Sequence, residues 1–341
     1  MRRYSALILY LLLSLLVIMA TQGNWVNAYL QLTLMFIGIN IILSSSLNLI
    51  NGYMGEFSVG HAGFMAVGAY VTSVLNIWFF TDTPIFGPSL LAPSSAVYLF
   101  PFTLLVGGMG AALVGLLVAI PSFRTRGDYL AIITLAVNYI VKSSIENMQV
   151  IGGARGFMGM SGVVNDMKAV LNLPWMMIWT LVSVGVTVWV IYRFVNSTYG
   201  KGIVAIRDDE IAAEIMSVDT KRMKVVAFML SSGMAGVAGG LFAHILGYIN
   251  PGTFTIMKST EILVMVYLGG MGSLSGSVLS AIGLTVVLEL FRPLQVVKWV
   301  VVPLLLILLM FFRPEGIMGH RELTDFFPRL RAIFSPQEKR T

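Results

Sequence analysis

The sequence predicts an all-α integral membrane protein with about 8 to 10 transmembrane helices and glycine-rich broken or re-entrant segments. Three observations predict it. Hydrophobic residues fill 57% of 341 positions and charged residues only 11%, an apolar excess that one soluble core of this size cannot hide. The apolar residues come in runs close to the ~20 that cross ~30 Å of hydrocarbon. Lys and Arg gather at alternate ends of these runs, as bases do on the cytoplasmic side of a membrane.

The runs lie near 4–20, 28–47, 61–80, 97–120, 129–147, 175–195, 224–248, 260–272, 276–291 and 299–312. The first follows Met1-Arg2-Arg3 and has the look of a signal peptide. Because further spans follow at once and no small-x-small cleavage site precedes Trp25, a retained first helix is favoured. Arg2 and Arg3 then put the N-terminus in the cytoplasm, and alternation brings Arg124, Arg126, the stretch Gly200 to Lys224 and the basic tail from Arg313 to the same side. The opposite side receives "TQGNWVNA", "TDTPIFGPSLLAPSS" and the segment from Asn147 to Pro174, whose only bases are Arg155 and Lys168. A single broken helix over 260–312 would leave the basic tail outside, so ten spans are preferred. No internal repeat is visible. The expected organisation is one transmembrane domain, 1–319, with a cytoplasmic loop at 197–224, and a basic, partly amphipathic cytoplasmic tail, 320–341, at the headgroups.

Along the chain, "NGYMGEFSVGHAGF" sets Glu56 and His61 among Gly52, Gly55, Gly60 and Gly63. Discontinuous helices expose backbone groups that can bind a zwitterion, so Gly55, Glu56, Ser58, Gly60 and His61 are candidates for a translocation pathway. The plainer reading leaves Glu56 in water at the cytoplasmic boundary and His61 bonded to a carbonyl. Both readings stay open here.

Between two spans, Gly200 to Lys224 gathers five bases (Lys201, Arg207, Lys221, Arg222, Lys224) and five acids (Asp208, Asp209, Glu210, Glu214, Asp219). Charges of this density belong in water. Ile211 and Ile215 stand four apart beside Ala212 and Met216, while Arg207, Glu210 and Glu214 fall on another face, so a short amphipathic helix is expected. Helices that lie on anionic lipid are usually basic on the polar face, and this one is acidic. A protein partner with a groove is the better reading.

Ser232, Gly236 and Gly240 recur every four residues, the small-residue spacing by which membrane helices pack closely. Gly269, Gly270 and Gly272 are further pathway candidates in "GGMGSLSGS". Gly272 and Gly276 repeat the small-residue spacing, and a broken helix and a packing face are both open there. Glu261 is expected at an interface, and Glu289 pairs with Arg292 three residues on.

Net charge of +6 reports orientation here, since no soluble basic domain for nucleic acid exists. The absence of cysteine excludes disulfides and thiolate chemistry. No G-x-x-x-x-G-K-[ST], H-E-x-x-H or G-x-S-x-G occurs, and His61, His244 and His320 are widely separated. No catalytic, cofactor-binding or metal residue is therefore expected, nor any cofactor; the chain reads as a non-enzyme.

The stretch "IRDDEIAAEIMSVDTKRMKVVAFMLSSGMAGVAGGL" (Ile206 to Leu241) resembles the coupling segment of LivM-type permease subunits, from the ABC importers of branched-chain amino acids. The resemblance continues, in the family's order, through "NLINGYMGEFSVGHAGFMAVGAY" (Asn48 to Tyr70), "RTRGDYLAIITLAV" (Arg124 to Val137), "ILVMVYLGGMGSLSGSVLSA" (Ile262 to Ala281) and "FFRPEGIMG" (Phe311 to Gly319). It implies that Ala205 to Val218 form a coupling helix, with Arg207, Asp208, Asp209, Glu210, Ile211, Ala213 and Glu214 docking on a cytoplasmic ATPase. It further implies a second homologous permease subunit, two cytoplasmic ATPase subunits and a periplasmic substrate-binding protein as partners, ATP hydrolysis by those partner subunits, and a bacterial inner membrane with both termini cytoplasmic. The chain departs from the family's usual pattern at Glu56, where an uncharged amide is more common, and at Asp128, where a hydrophobic residue is common. Relatives carry urea, short amides or other amino acids, which form the alternative substrates. An ion-coupled secondary transporter is the competing function class, and the scarcity of charge within the spans argues against it.

Overall fold

The computed structural model describes residues 5–23, 25–83, 86–123, 129–292, 300, 303–304, 307–308, 311–312, 316–319 and 322. Arg2, Arg3, Arg124, Arg126, Asp128, Arg313, most of the 299–312 run and all of the tail but Glu322 lie outside them.

The fold is helical, with helices α1 (Ser5–Gln22), α2 (Ala28–Asn48), α3 (His61–Phe80), α4 (Ala96–Ser122), α5 (Tyr129–Asn147) and α6 (Met160–Val170) in its first half. The second half holds α7 (Trp175–Val195), α8 (Thr198–Asp208), α9 (Glu210–Ile215), α10 (Thr220–Leu246), α11 (Ile256–Gly269) and α12 (Leu274–Leu290). Among the described residues, six helical stretches are long and apolar enough to cross a membrane: Ala28–Tyr53, His61–Phe80, Pro93–Ser122, Tyr129–Asn147, Trp175–Val195 and Thr220–Leu246. Ile8–Gln22 and Leu274–Leu290 are shorter apolar helices. The 260–272 run becomes α11, which starts earlier, at Ile256, and stops at Gly269 because Gly270 takes φ 111°, outside the helical region.

α10 is the central post, lying along both α3 and α4, while α2 packs on α12, α7 and α10. In lipid, apolar side chains gain little by leaving hydrocarbon for each other, so close approach of backbones matters more. Gly236 of α10 meets Gly68 of α3 on one side and Ala111 of α4 on the other, and a methyl group at Gly236 would stand 2.5 Å from the Ala111 Cβ. Ser232 faces Gly115, and Gly240 faces Thr72 and Leu104. Edge-on rings of Phe64 and Phe228, with centroids 5.5 Å apart, fill the same α3–α10 contact.

Some of the polar groups inside this bundle are bonded across helices. Asn76 of α3 accepts from Thr103 Oγ1 at 2.9 Å and contacts His244 Nε2 at 2.9 Å, while His244 Nδ1 reaches the Gly240 carbonyl at 2.8 Å. Such bonds satisfy groups that hydrocarbon cannot.

At one end of the bundle, strand β1 (Phe157–Met158) pairs antiparallel with β2 (Tyr248–Ile249), tying the Gly-rich segment before α6 to the turn after α10. The Tyr248 hydroxyl donates to the Arg155 carbonyl at 2.8 Å. Near the end of α12, Arg292 pairs with Glu289 at 2.9 Å, Tyr29 donates to the same carboxylate, and Lys258 pairs with Glu261 at 3.2 Å.

Candidate functional site

The opposite end of the bundle carries the charged segment. The expected single helix from Ala205 to Val218 is two helices, α8 and α9, broken at Asp209. The break has a local cause. Asp209 leaves the helical region (φ −160°, ψ 109°) and its Oδ1 accepts from the Ile211 and Ala212 amides at 2.9 and 3.0 Å, which is N-cap geometry. α9 is closed at its other end by the Val218 amide on the Ala213 carbonyl (3.0 Å), and the Thr220 hydroxyl donates to Glu214 at 3.1 Å.

The faces of α9 are arranged differently from the acidic docking face expected. Glu210 and Glu214 are bonded within the chain, to Lys224 and Thr220. The apolar residues point outward: Ile211 is 63% exposed, Ile215 77% and the adjoining Met216 79%, whereas Ala213 is buried against the bundle. Asp208 and Asp209 edge this apolar knob.

Under α9 lies an ion cluster. Lys224, near the start of α10 and only 6% exposed, donates to Glu56 Oε1 at 2.7 Å and to Glu210 Oε1 at 2.8 Å. Its ammonium also stands 5.8 Å from the centre of the Phe123 ring, at the end of α4. Beside it, Arg207 lies across Gly55. Gly55 takes φ 75°, and a methyl group there would stand 2.5 Å from Arg207 Cγ, so this position needs glycine for both conformation and space. Arg207 Nη1 also donates to the Gly52 carbonyl at 3.3 Å and Nη2 to Asp208 at 2.9 Å. Together Gly55, Glu56, Leu130, Arg207, Glu210 and Lys224 line most of an open cleft of about 490 Å³.

One wall of the cleft is the chain that follows the first of two broken helices. α2 passes at Asn48 into a π-helical turn, Leu49–Tyr53, and then into extended chain up to α3, with the Glu56 amide closing on the Ile50 carbonyl at 3.1 Å. α11 and α12 are separated by Gly270–Ser273. Asn48 joins the two breaks: its Oδ1 accepts from the Gly272 amide at 3.0 Å, and its Nδ2 donates to the Ser273 carbonyl at 2.9 Å and to Ser277 Oγ at 2.8 Å. Glu322, from the tail, accepts from the Leu274 amide at 2.8 Å, the Ser275 amide at 3.1 Å and the Tyr53 hydroxyl at 3.2 Å. A carboxylate on the first amides of α12 complements the positive end of that helix.

The candidate residues are thus only partly gathered. Gly55 and Glu56 meet the coupling segment, and Gly272 meets Asn48. Gly269 packs on Gly276 as its helix breaks, so both readings of that stretch hold at once. Gly60 abuts Thr134. His61 is fully buried, with Nε2 2.8 Å from Ser46 Oγ. Ser58 is also fully buried, and its amide donates to Asn51 Oδ1 at 3.3 Å. Sequence reasoning missed Asn48, Asn51, Lys224 and Glu322. A base inside the first two turns of an apolar helix was the available signal for Lys224. Among the described residues no group of three or more His, Asp or Glu side chains is arranged to hold a metal ion.

Comparison with known proteins is consistent with this architecture. Residues 29–312 match the family described as "Branched-chain amino acid transport system / permease component". The chain is 32% identical over 313 residues to the high-affinity branched-chain amino acid transport system permease protein LivM of Escherichia coli (strain K12), covering 82% of this chain and 68% of that protein. It is 23% identical over 330 residues to a probable LivM of Methanocaldococcus jannaschii, covering 86% and 94%. A third relative is the LivH permease protein of Salmonella typhimurium, 22% identical over 294 residues and covering 83% and 92%. No solved structure matches the chain. With a family match running through α2 to α12 and a relative of this identity and coverage, the chain belongs to the permease components of branched-chain amino acid transport systems.

Proposed function

We propose that the chain is one half of the translocation pathway of an ABC importer for branched-chain amino acids, driven by ATP hydrolysis on separate cytoplasmic subunits. The single observation that carries this reading is the knob of Ile211, Ile215 and Met216, held out from the bundle beside the broken segment that follows α2. An apolar helix face in water is unfavourable until a groove covers it. The second permease subunit is of the LivH kind, two ATPases cover the knobs of the two permeases, and a periplasmic binding protein delivers Leu, Ile or Val to the far side.

In this scheme Arg207, Asp208, Asp209, Glu210, Ile211, Ala213 and Glu214 form the coupling segment, and Gly55, Glu56, Ser58, Gly60, His61, Gly269, Gly270 and Gly272 belong to the walls and breaks that rearrange. The transmembrane unit is 1–319, with the loop 197–224 and the tail 320–341 in the cytoplasm of a bacterial cell, beneath its inner membrane. Transport requires a substrate affinity that differs between outward and inward states, and force on α9 biases that equilibrium.

The test is uptake of labelled Leu, Ile and Val by vesicles holding the full complex. Wild-type vesicles are expected to accumulate substrate only with ATP inside. Ile211→Asp with Ile215→Asp, at two exposed positions, is expected to leave the chain inserted but abolish ATP-driven uptake. Unchanged uptake by that variant, or accumulation by the lone chain on an ion gradient, would overturn the proposal.

A further inference from the structure

The ion cluster around Lys224 does more than neutralise a buried base. Lys224 stands at the start of α10, Glu210 in the first turn of α9, and Glu56 in the extended chain between α2 and α3, three elements separated by up to 168 positions in sequence. One ammonium therefore holds the outermost helix and the broken segment to the central post. With 6% exposure for Lys224, separating either carboxylate from it would leave a mostly buried ammonium with one charge partner in place of two, which is unfavourable. Arg207 adds a second tie, through the Gly52 carbonyl at 3.3 Å and its packing on Gly55.

We propose that Lys224 is a positioning residue that makes α9 and the segment Met54–Gly60 move as one body, with Glu56 as the receiving end of the force applied to α9. The inference rests on the coupling role given to α9 above. It assigns Glu56 to transmission and removes it from contact with substrate, and it accounts for an acid at a position where an amide would not hold the ammonium as a charge partner.

The experiment measures uptake and ATP hydrolysis together in vesicles holding the full complex. Lys224→Met is expected to lower the substrate moved per ATP by about tenfold, within the range of coupling between two sites, and Lys224→Arg to restore most of it. Glu56→Gln, at a more exposed site, is expected to lower the same ratio without changing the substrate concentration for half-maximal uptake. A substrate-contacting Glu56 would shift that concentration instead.

Since the chain has no cysteine, Glu56→Cys with Glu210→Cys can be joined by a short bifunctional maleimide in the complex. The double-cysteine variant itself is expected to show the lowered ratio, and one-body motion predicts that joining the two cysteines raises it again, in the Lys224→Met background as well. A crosslink that stops uptake while ATP hydrolysis continues would show the two parts moving against each other and would sink the proposal, as would an unaltered ratio in both Lys224→Met and Glu56→Gln. If wild-type vesicles show no ATP-dependent uptake at all, the coupling reading fails first, which separates the two failures.

Discussion

Asn48 bonds to an amide, a carbonyl and a hydroxyl of the α11–α12 break, and all three partners lie more than 220 positions away in sequence. Replacing it with Leu keeps the branching of the side chain and removes every bond. The Gly272 amide is then unsatisfied beside a buried apolar side chain, at about 1–3 kcal/mol, while the Ser273 carbonyl keeps the Ser277 amide as a donor at 3.1 Å. Asn48→Leu is therefore expected to lower the thermal midpoint of the detergent-solubilised protein by several degrees, whereas Ser277→Ala, which removes one hydroxyl partner, has a smaller effect. Equal midpoints for wild type and Asn48→Leu would show that the two breaks hold together without this side chain. In the sequence Asn48 is one amide at the end of an apolar run, and nothing in its neighbourhood names a partner so far away. Glu56 poses the same difficulty, because its sequence context is compatible with water and with a pathway alike. Only the fold brings Lys224 within 2.7 Å of it.

At the scale of elements, α9 has six residues, too few to be helical by propensity alone. It stands because Asp209 caps one end, Ala213 is buried, and Glu210 and Glu214 are bonded to α10. The apolar spacing of Ile211 and Ile215 was legible as helical. The break before them was not read, although Asp208-Asp209 carried the signal: aspartate is poor within a helix and good at its start. Asp209→Ala removes two bonds to backbone amides, a loss of about 1 kcal/mol. Faster amide exchange is expected at Ile211 and Ala212, with exchange in the middle of α10 unaltered. Unchanged protection at Ile211 and Ala212 would mean that the contacts with α10 alone hold α9. The stretch Ser232, Gly236 and Gly240 was more legible, because close approach requires small residues at helical spacing whichever neighbour they meet. That the neighbours are two helices, α3 and α4, could not be read from α10 alone.

For the whole molecule, most helices were legible because length and hydropathy act locally, while their sidedness follows from contacts between ends. Glu56, Phe123, Glu210 and Lys224 meet at one end of the bundle, and the β1–β2 pair joins the turn after α10 to the segment before α6 at the other. The first end carries the bases of the 197–224 loop, and the orientation proposed above, which follows the positive-inside preference, puts it in the cytoplasm. The absence of native cysteine permits a direct check with single-cysteine variants in intact cells and in inverted vesicles. Ser217→Cys, in the turn after α9, is expected to react with a membrane-impermeant maleimide only in inverted vesicles. Ser89→Cys and Asn172→Cys, in the connections after α3 and after α6, are expected to react only in intact cells. The pairing of these outcomes matters because an odd number of crossings separates Ser217 from either of the other two. Reaction of Ser217→Cys and Asn172→Cys from the same side would mean that α7 does not cross, and it would detach the coupling segment from the end of the bundle where the two helix breaks meet.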